Sequence, residues 1–289
     1  MFYTIHELVT QAEQQFDGSI SELMIATEIE TSGRTRGEII ALMSENLRVM
    51  LASIDNGMTE KTSRTGLTDG DALKLDRYIK SGRTLSEKTV LTAAKNAMAV
   101  NESNAQMGLV CATPTAGSAG CVPAVLATAI DKLQLTEAQQ VDFLFTAGAF
   151  GLVIANNASI SGAEGGCQAE VGSAAAMASA ALVIAADGNP HQASQACAFV
   201  IKNLLGLICD PVAGLVEVPC VKRNAMGASF SLVAADMALA GIESRIPTDE
   251  VIQAMYQVGQ AMPSAFRETA EGGLAATPTG KRLKAEIFG

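Results

Sequence analysis

A mainly α fold is predicted by three features of the sequence. Apolar residues fill 48% of the 289 positions while aromatic residues fill only 4%, with no Trp, so the core must be built from Ala, Leu, Val, Ile and the 12 Met. Several segments carry apolar residues at three- and four-residue spacing, the period of a helix face. No segment of useful length alternates apolar with polar residues as a half-buried strand does. At about 150 residues per domain the length allows roughly two domains. No internal repeat divides the chain, and one all-α domain is expected over 1–289, with an amino-terminal helical part at 1–107 and a Gly- and Ala-rich part at 108–289.

The elements follow in order. The opening MFYTIHELVTQAEQQF reads as a terminal helix, with His6 and Glu7 where a secretory signal would carry basic and then apolar residues. Ser19 with Glu22, and Thr84 with Glu87, have capping-box spacing. Between 39 and 54 the residues Ile39, Ile40, Met43, Leu47, Met50, Leu51 and Ile54 recur at helical period, and Asn56-Gly57 supplies a stop. The polar stretch TEKTSRTGLTDGDA is a loop before a helix over 72–79. Beyond 108, Thr136 with Gln139 opens a helix to 148, and a helix over 173–186 ends at Gly188. Pro190 after Asn189 opens another to about 207. Helices over 225–240 and 248–262 complete the pattern, the second framed by Pro247 and Pro263.

Charge narrows the partners. With 20 Lys and Arg against 30 Asp and Glu, the net charge of -10 argues against nucleic acid or an anionic membrane surface as the main partner. The apolar stretches at 143–155, 174–186 and 196–209 fall short of the roughly 20 residues that cross a bilayer, and Lys202 interrupts the last. They are expected to be buried core helices of a cytoplasmic protein with no membrane span.

Six cysteines in a large, core-rich chain are expected to be reduced thiols rather than a disulfide framework. Three loops stand apart from ordinary connectors: ATPTAGSAGCVP at 112–123, SGAEGGCQAEVGSA at 161–174 and CDPVAGLVEVPCVKRNA at 209–225. Glycine at this density lets backbone approach a ligand and exposes N–H groups to anions, or simply makes tight turns between Ala-rich helices. Cys167, Cys209 and Cys220 sit in these loops without zinc-finger spacing, and the two histidines, His6 and His191, lie elsewhere. Three thiolates without a fourth suit a [4Fe–4S] cluster with one iron open to act as a Lewis acid. Cys111, Cys121 and Cys197 read as small buried hydrophobes.

The strings PTAGSAGCVPA, SGAEGGCQAEVGSA and CDPVAGLVEVPCVKRNAMGA, with TSRTGLTDGDALKL nearer the amino terminus, resemble the iron–sulfur-dependent L-serine dehydratases, in particular the α subunit of the two-chain kind. The likeness runs over essentially the whole chain. It implies an all-α catalytic domain, a [4Fe–4S] cluster held by Cys167, Cys209 and Cys220, and deamination of L-serine to pyruvate and ammonia without pyridoxal phosphate. Single-chain relatives carry a smaller domain with a Ser- and His-containing motif ahead of the catalytic domain. A separate β chain is expected to supply it here, and no tail cysteine is expected to reach the cluster.

The remaining roles follow from what the reaction needs. Thr115, Ala116, Gly117, Ser118, Ala119 and Gly120 are the candidate cradle for a substrate carboxylate. Lys222 and Arg223 would add positive charge or tune the cluster, or else pair with acidic neighbours. Glu164 and Glu170 flank Cys167 and are the candidate bases, or else accept bonds from loop amides. A partner-chain histidine is an alternative base, and His191 reads as structural. Two rival readings stand beside this one: a non-catalytic helical scaffold or ligand-binding subunit, and an iron–sulfur hydro-lyase for another small hydroxy acid.

Overall fold

In the computed structural model, which describes residues 1–289, the chain forms thirteen α-helices, three short 3-10 turns and no β-strand. Strand-like pairing is limited to two isolated bridges, Thr62 with Asp69 and Cys209 with Arg267. The mainly α expectation holds.

The amino-terminal part comprises α1 (Ile5–Gln15), α2 (Ile20–Ser32), α3 (Arg36–Gly57), α4 (Asp71–Lys80) and α5 (Lys88–Ala105). Ser19 caps α2 by accepting the N–H of Glu22. Thr84 caps nothing: α5 starts later, behind Glu87, whose own carboxylate accepts the N–H of Thr89. Asn56 and Gly57 are carried as the last turn of α3 rather than ending it, and Thr35 with Glu38 forms a full capping box at its start. α4 has no side-chain cap of its own behind Gly70. Buried Glu102 of α5 supplies one from outside, accepting the N–H groups of Asp71 at 2.6 Å and Ala72 at 3.2 Å.

The second part comprises α6 (Cys121–Leu133), α7 (Glu137–Asn157), α8 (Gly162–Gly165), α9 (Cys167–Ala185), α10 (Pro190–Asn203), α11 (Cys220–Leu239), α12 (Thr248–Ala261) and α13 (Pro278–Phe288). α7 runs on past Gly148, because an isolated glycine costs a helix only about 1 kcal/mol. α9 starts at Cys167 rather than Ser173, and α11 at Cys220 rather than Ala225. Neither start carries a capping side chain that would mark it in the sequence. α10 stops at Asn203, short of 207, and the chain then turns through Gly206 at φ +84. α6 begins inside what reads as a glycine loop, and α13 has no strong apolar period.

α9 is the axis of the fold. Sixteen of its 19 residues are buried, and α10, α11, α7 and α6 pack around it. Ala and Ser along its length let these neighbours come close without large side chains between them. A core of 56 buried residues extends from Phe2 to Met255 and joins both parts of the chain. By length and composition α7 and α9 reach membrane-spanning dimensions, contrary to expectation, because each helix extends past its apolar stretch. The apolar window of α9 is 89% buried and that of α7 is 56% buried, so for α9 other helices take the place of lipid.

Candidate active site

Cys167 and Cys220 are the first residues of α9 and α11, and Cys209 lies on the connector between α10 and α11. Backbone bonds draw that connector onto the start of α9. The N–H of Gln168 donates to the Leu207 carbonyl at 2.9 Å, and the N–H of Gly206 donates to Gln168 Oε1 at 2.9 Å. Cys209 is gripped from the other side: its N–H donates to the Phe266 carbonyl and its carbonyl accepts from the Glu268 N–H, each at 2.8 Å. All six cysteines are free, and all but Cys111 are buried.

Burial pushes the Cys167 thiol up to about 12 and the Cys209 and Cys220 thiols higher still. For Cys209 the neighbouring Cys167, Glu170, Glu268 and Cys220 push the same way, and Cys167 and Glu170 do so for Cys220. Arg223 is the one cation that opposes this, at Cys167 and Cys220. The three thiols therefore share one neighbourhood, in which thiolates would repel each other unless a positive charge joined them. A bound metal reverses that balance, and soft thiol donors suit iron–sulfur chemistry. No three His, Cys, Asp or Glu side chains gather around a point suited to one ion. A cluster does not require that, since each thiolate binds its own iron. The donor set fits such a cluster.

Glu170 joins the thiols to the glycine loop. It is buried one turn into α9, with Oε2 4.0 Å from Cys209 Sγ, and its Oε1 accepts from the Thr115 hydroxyl. Burial raises its pKa most. Thr115 and Arg223 pull it down, and Glu268 pushes it up. The loop passes close because position 117 is glycine: a Cβ there would stand 2.4 Å from Glu170 Oε1. Asn224 of α11 holds the loop from behind, accepting the Gly120 N–H at 3.1 Å and donating to the Gly117 carbonyl at 2.7 Å. Asn101 donates to the same carbonyl at 3.3 Å. The N–H groups of Thr115, Ser118, Ala119 and Gly120 are engaged within the loop or by Asn224, whereas those of Ala116 and Gly117 make no hydrogen bond.

The four charged candidates divide into two pairs. Arg223 lies with the cysteines, its Nη2 2.9 Å from Asp210 Oδ1 and its Nη1 donating to the Ile208 carbonyl at 2.8 Å. It thus ties the Cys209 segment to the start of α11. Lys222, its neighbour, points instead to Asp71 of α4. Glu170 faces the thiols, whereas Glu164 is exposed and accepts from the Ser159 hydroxyl at 2.7 Å. The TSRTGLTDGDA loop also reaches this region, through Thr65 and Thr68, which donate to buried Glu217 at 2.6 and 3.0 Å.

Several residues here escape a reading of the sequence. Asn101 and Glu268 come from distant positions, and no local pattern marks them; Asp210 and Asn224 lie within the 209–225 motif, but nothing in it tells their roles. Cys121 begins α6 beside the site, its thiol 3.6 Å from the Asn224 carbonyl, while Cys197 is buried in α10. A cavity of about 540 Å³ between α3, α7 and residues 109–114 is mostly apolar and lined by none of the candidate site residues.

The family described as serine dehydratase alpha chain matches residues 15–275. A probable L-serine dehydratase alpha chain of Bacillus subtilis (strain 168) is 59% identical over all 289 residues, covering 96% of that protein. The L-serine dehydratase alpha chain of Peptoniphilus asaccharolyticus is 41% identical over 93% of this chain and 92% of its own length. The L-serine dehydratase TdcG of Escherichia coli (strain K12) is 38% identical over 95% of this chain, but that span is only 61% of TdcG. With a family match over most of its length and whole-length relatives of high identity, the chain belongs to the serine dehydratase alpha chain family.

Proposed function

We propose that this chain is the α chain of a cytoplasmic L-serine dehydratase that converts L-serine to pyruvate and ammonia, independent of pyridoxal phosphate, at a [4Fe–4S] cluster held by Cys167, Cys209 and Cys220. The observation that carries the reading is the meeting of three buried, reduced thiols with the Glu170 carboxylate, beside a glycine loop with two free N–H groups. The names of the relatives support serine as substrate and a β chain as partner.

The reaction removes a weakly acidic proton from Cα and expels hydroxide, a poor leaving group, from Cβ. When bound, the cluster supplies an open iron whose Lewis acidity helps that departure. The chain's own residues do the rest. The N–H groups of Ala116 and Gly117 receive the substrate carboxylate. Glu170, held by Thr115, is the proton acceptor this chain offers. Arg223 fixes the Cys209 segment against Cys220 and adds positive charge beside the thiols. Loss of water leaves an aminoacrylate, which tautomerises to an imine; water then hydrolyses the imine to pyruvate and ammonia.

The test is anaerobic reconstitution with iron and sulfide, followed by a pyruvate assay on L-serine with and without a β chain. Pyruvate is expected only with both chains and with iron, and hydroxylamine, which inactivates pyridoxal phosphate enzymes, should leave the rate unchanged. Serine turnover by iron-free protein would refute the reading.

A further inference from the structure

We propose that Glu268 binds the α-ammonium of the substrate and makes the site select an amino acid over a hydroxy acid. The inference rests on the function proposed above and adds the group that reads the amine.

Glu268 lies in the segment between α12 and α13, which crosses the site and pairs with Cys209. Its backbone has φ +63, a left-handed conformation uncommon for a side chain with a Cβ, and strain of this kind persists where the surroundings impose it. Its N–H donates to the Cys209 carbonyl, and its carboxylate lies on the side of Cys209 Sγ. Glu268 Oε2 lies 3.2 Å from the point a Cβ on Gly162 would occupy, with Cys209 Sγ at 2.7 Å and Glu170 Oε2 at 3.1 Å from the same point. The missing side chain at 162 thus lets one thiol and two carboxylates converge against the backbone of α8.

The two carboxylates differ in what they already hold. Glu170 is buried and accepts from Thr115. Glu268 is exposed, and its carboxylate makes no hydrogen bond or ion pair. Serine brings three polar groups to the site: a carboxylate, matched by the Ala116 and Gly117 N–H groups; a β-hydroxyl, destined for the leaving position; and an ammonium. Glu268 is the anion free to accept that ammonium. A hydroxy acid in the same pose would offer a neutral hydroxyl and leave the carboxylate uncompensated.

The experiment uses the anaerobically reconstituted holoenzyme of α and β chains, with Glu268→Gln and Glu268→Asp in the α chain. The readouts are KM and kcat for L-serine and the competitive inhibition constants of L-alanine and L-lactate. These two inhibitors lack the β-hydroxyl and differ from each other only in ammonium against hydroxyl. In Glu268→Gln, the serine KM and alanine constant should rise roughly 10–100-fold, as loss of a charge-assisted bond implies. The lactate constant should stay within about threefold and kcat should change little, the pattern of lost ground-state binding. Glu268→Asp should recover part of the loss, and iron content should match wild type, because the side chain is exposed. Equal effects on alanine and lactate, or an unchanged serine KM, would overturn the assignment. A wild-type holoenzyme that does not turn over serine would instead defeat the function on which it rests.

Discussion

Two sets of helices in this molecule start in different ways. α1, α2, α3, α7 and α10 begin behind Thr4, Ser19, Thr35, Thr136 and Asn189, each of which accepts an N–H of the first turn. α6, α9 and α11 begin on Cys121, Cys167 and Cys220, behind Gly120, Gly166 and Pro219, with no side-chain cap. In the first set the chain closes its own orphan N–H groups, which stabilises the helix end. In the second, backbone carbonyls rather than side chains take first-turn N–H groups, as Leu207 takes that of Gln168, and the positive end of the helix lies beside buried thiols, where it favours thiolate and other anions. The starts of α6, α9 and α11 are thus shaped by the site, although α4 and α12 also begin without a side-chain cap of their own.

The comparison breaks first at Arg223. Arg223→Met would leave buried Asp210 without its cation, retaining only the Leu274 N–H at 2.7 Å. Loss of one partner of a buried pair should cost about 3 kcal/mol, read as a lower thermal midpoint of the iron-free chain. A change under about 1 kcal/mol would mean that Arg223 does not hold the Cys209 segment in place.

Adding a cap where the site lacks one should also destabilise. Gly166 stands at φ +76, and a Cβ there would meet Met262 Cε at 2.7 Å and the Leu207 carbonyl at 2.9 Å. Gly166→Ser offers a capping hydroxyl to α9 at a cost of about 2 kcal/mol in strain and overpacking. A rise in the thermal midpoint would show that α9 lacks a cap for want of one rather than for lack of room.

Removing a cap from the first set has a smaller and separate effect. Thr35→Ala deletes the acceptor for the Glu38 N–H at the start of α3 and should cost about 1 kcal/mol, with iron content unchanged. Iron loss in this variant would erase the distinction between the two sets.

The smallest effect depends on pH. Asp76 of α4 is held below the usual carboxylate range, chiefly by Lys80 and also by Lys95. Its ion pairs therefore stabilise the fold above about pH 4, the unfolded value, and that contribution fades as pH falls through the lower folded value. With Lys80 exposed to solvent, Asp76→Asn should cost about 0.5 kcal/mol near pH 7 and less toward pH 3. A cost that grew on acidification would reverse the sign of this account.

The same contrast explains what was legible in the sequence. Thr136 with Gln139 and Asn189 with Gln192 form full capping boxes, so the starts of α7 and α10 could be read from local chemistry. α9 and α11 carry no such signal, so the sequence pattern points to later starts than Cys167 and Cys220. Composition announced the helical core, because no strand pattern competed with it. The glycine loops announced a site, but not which of Lys222 and Arg223 faces it: successive residues on a helix point about 100° apart, and packing decides. Glu268 was invisible because its place depends on a pairing with Cys209 across the fold.

The central claim is that Cys167, Cys209 and Cys220 hold the cluster and the other thiols do not. Iron and sulfide per chain, measured after anaerobic reconstitution of the wild type and of single Cys→Ala variants, test it most directly. About four irons per chain are predicted for the wild type and for Cys197→Ala, with the cluster lost in Cys167→Ala, Cys209→Ala and Cys220→Ala. A full complement of iron in Cys167→Ala, or its loss in Cys197→Ala alone, would contradict the account.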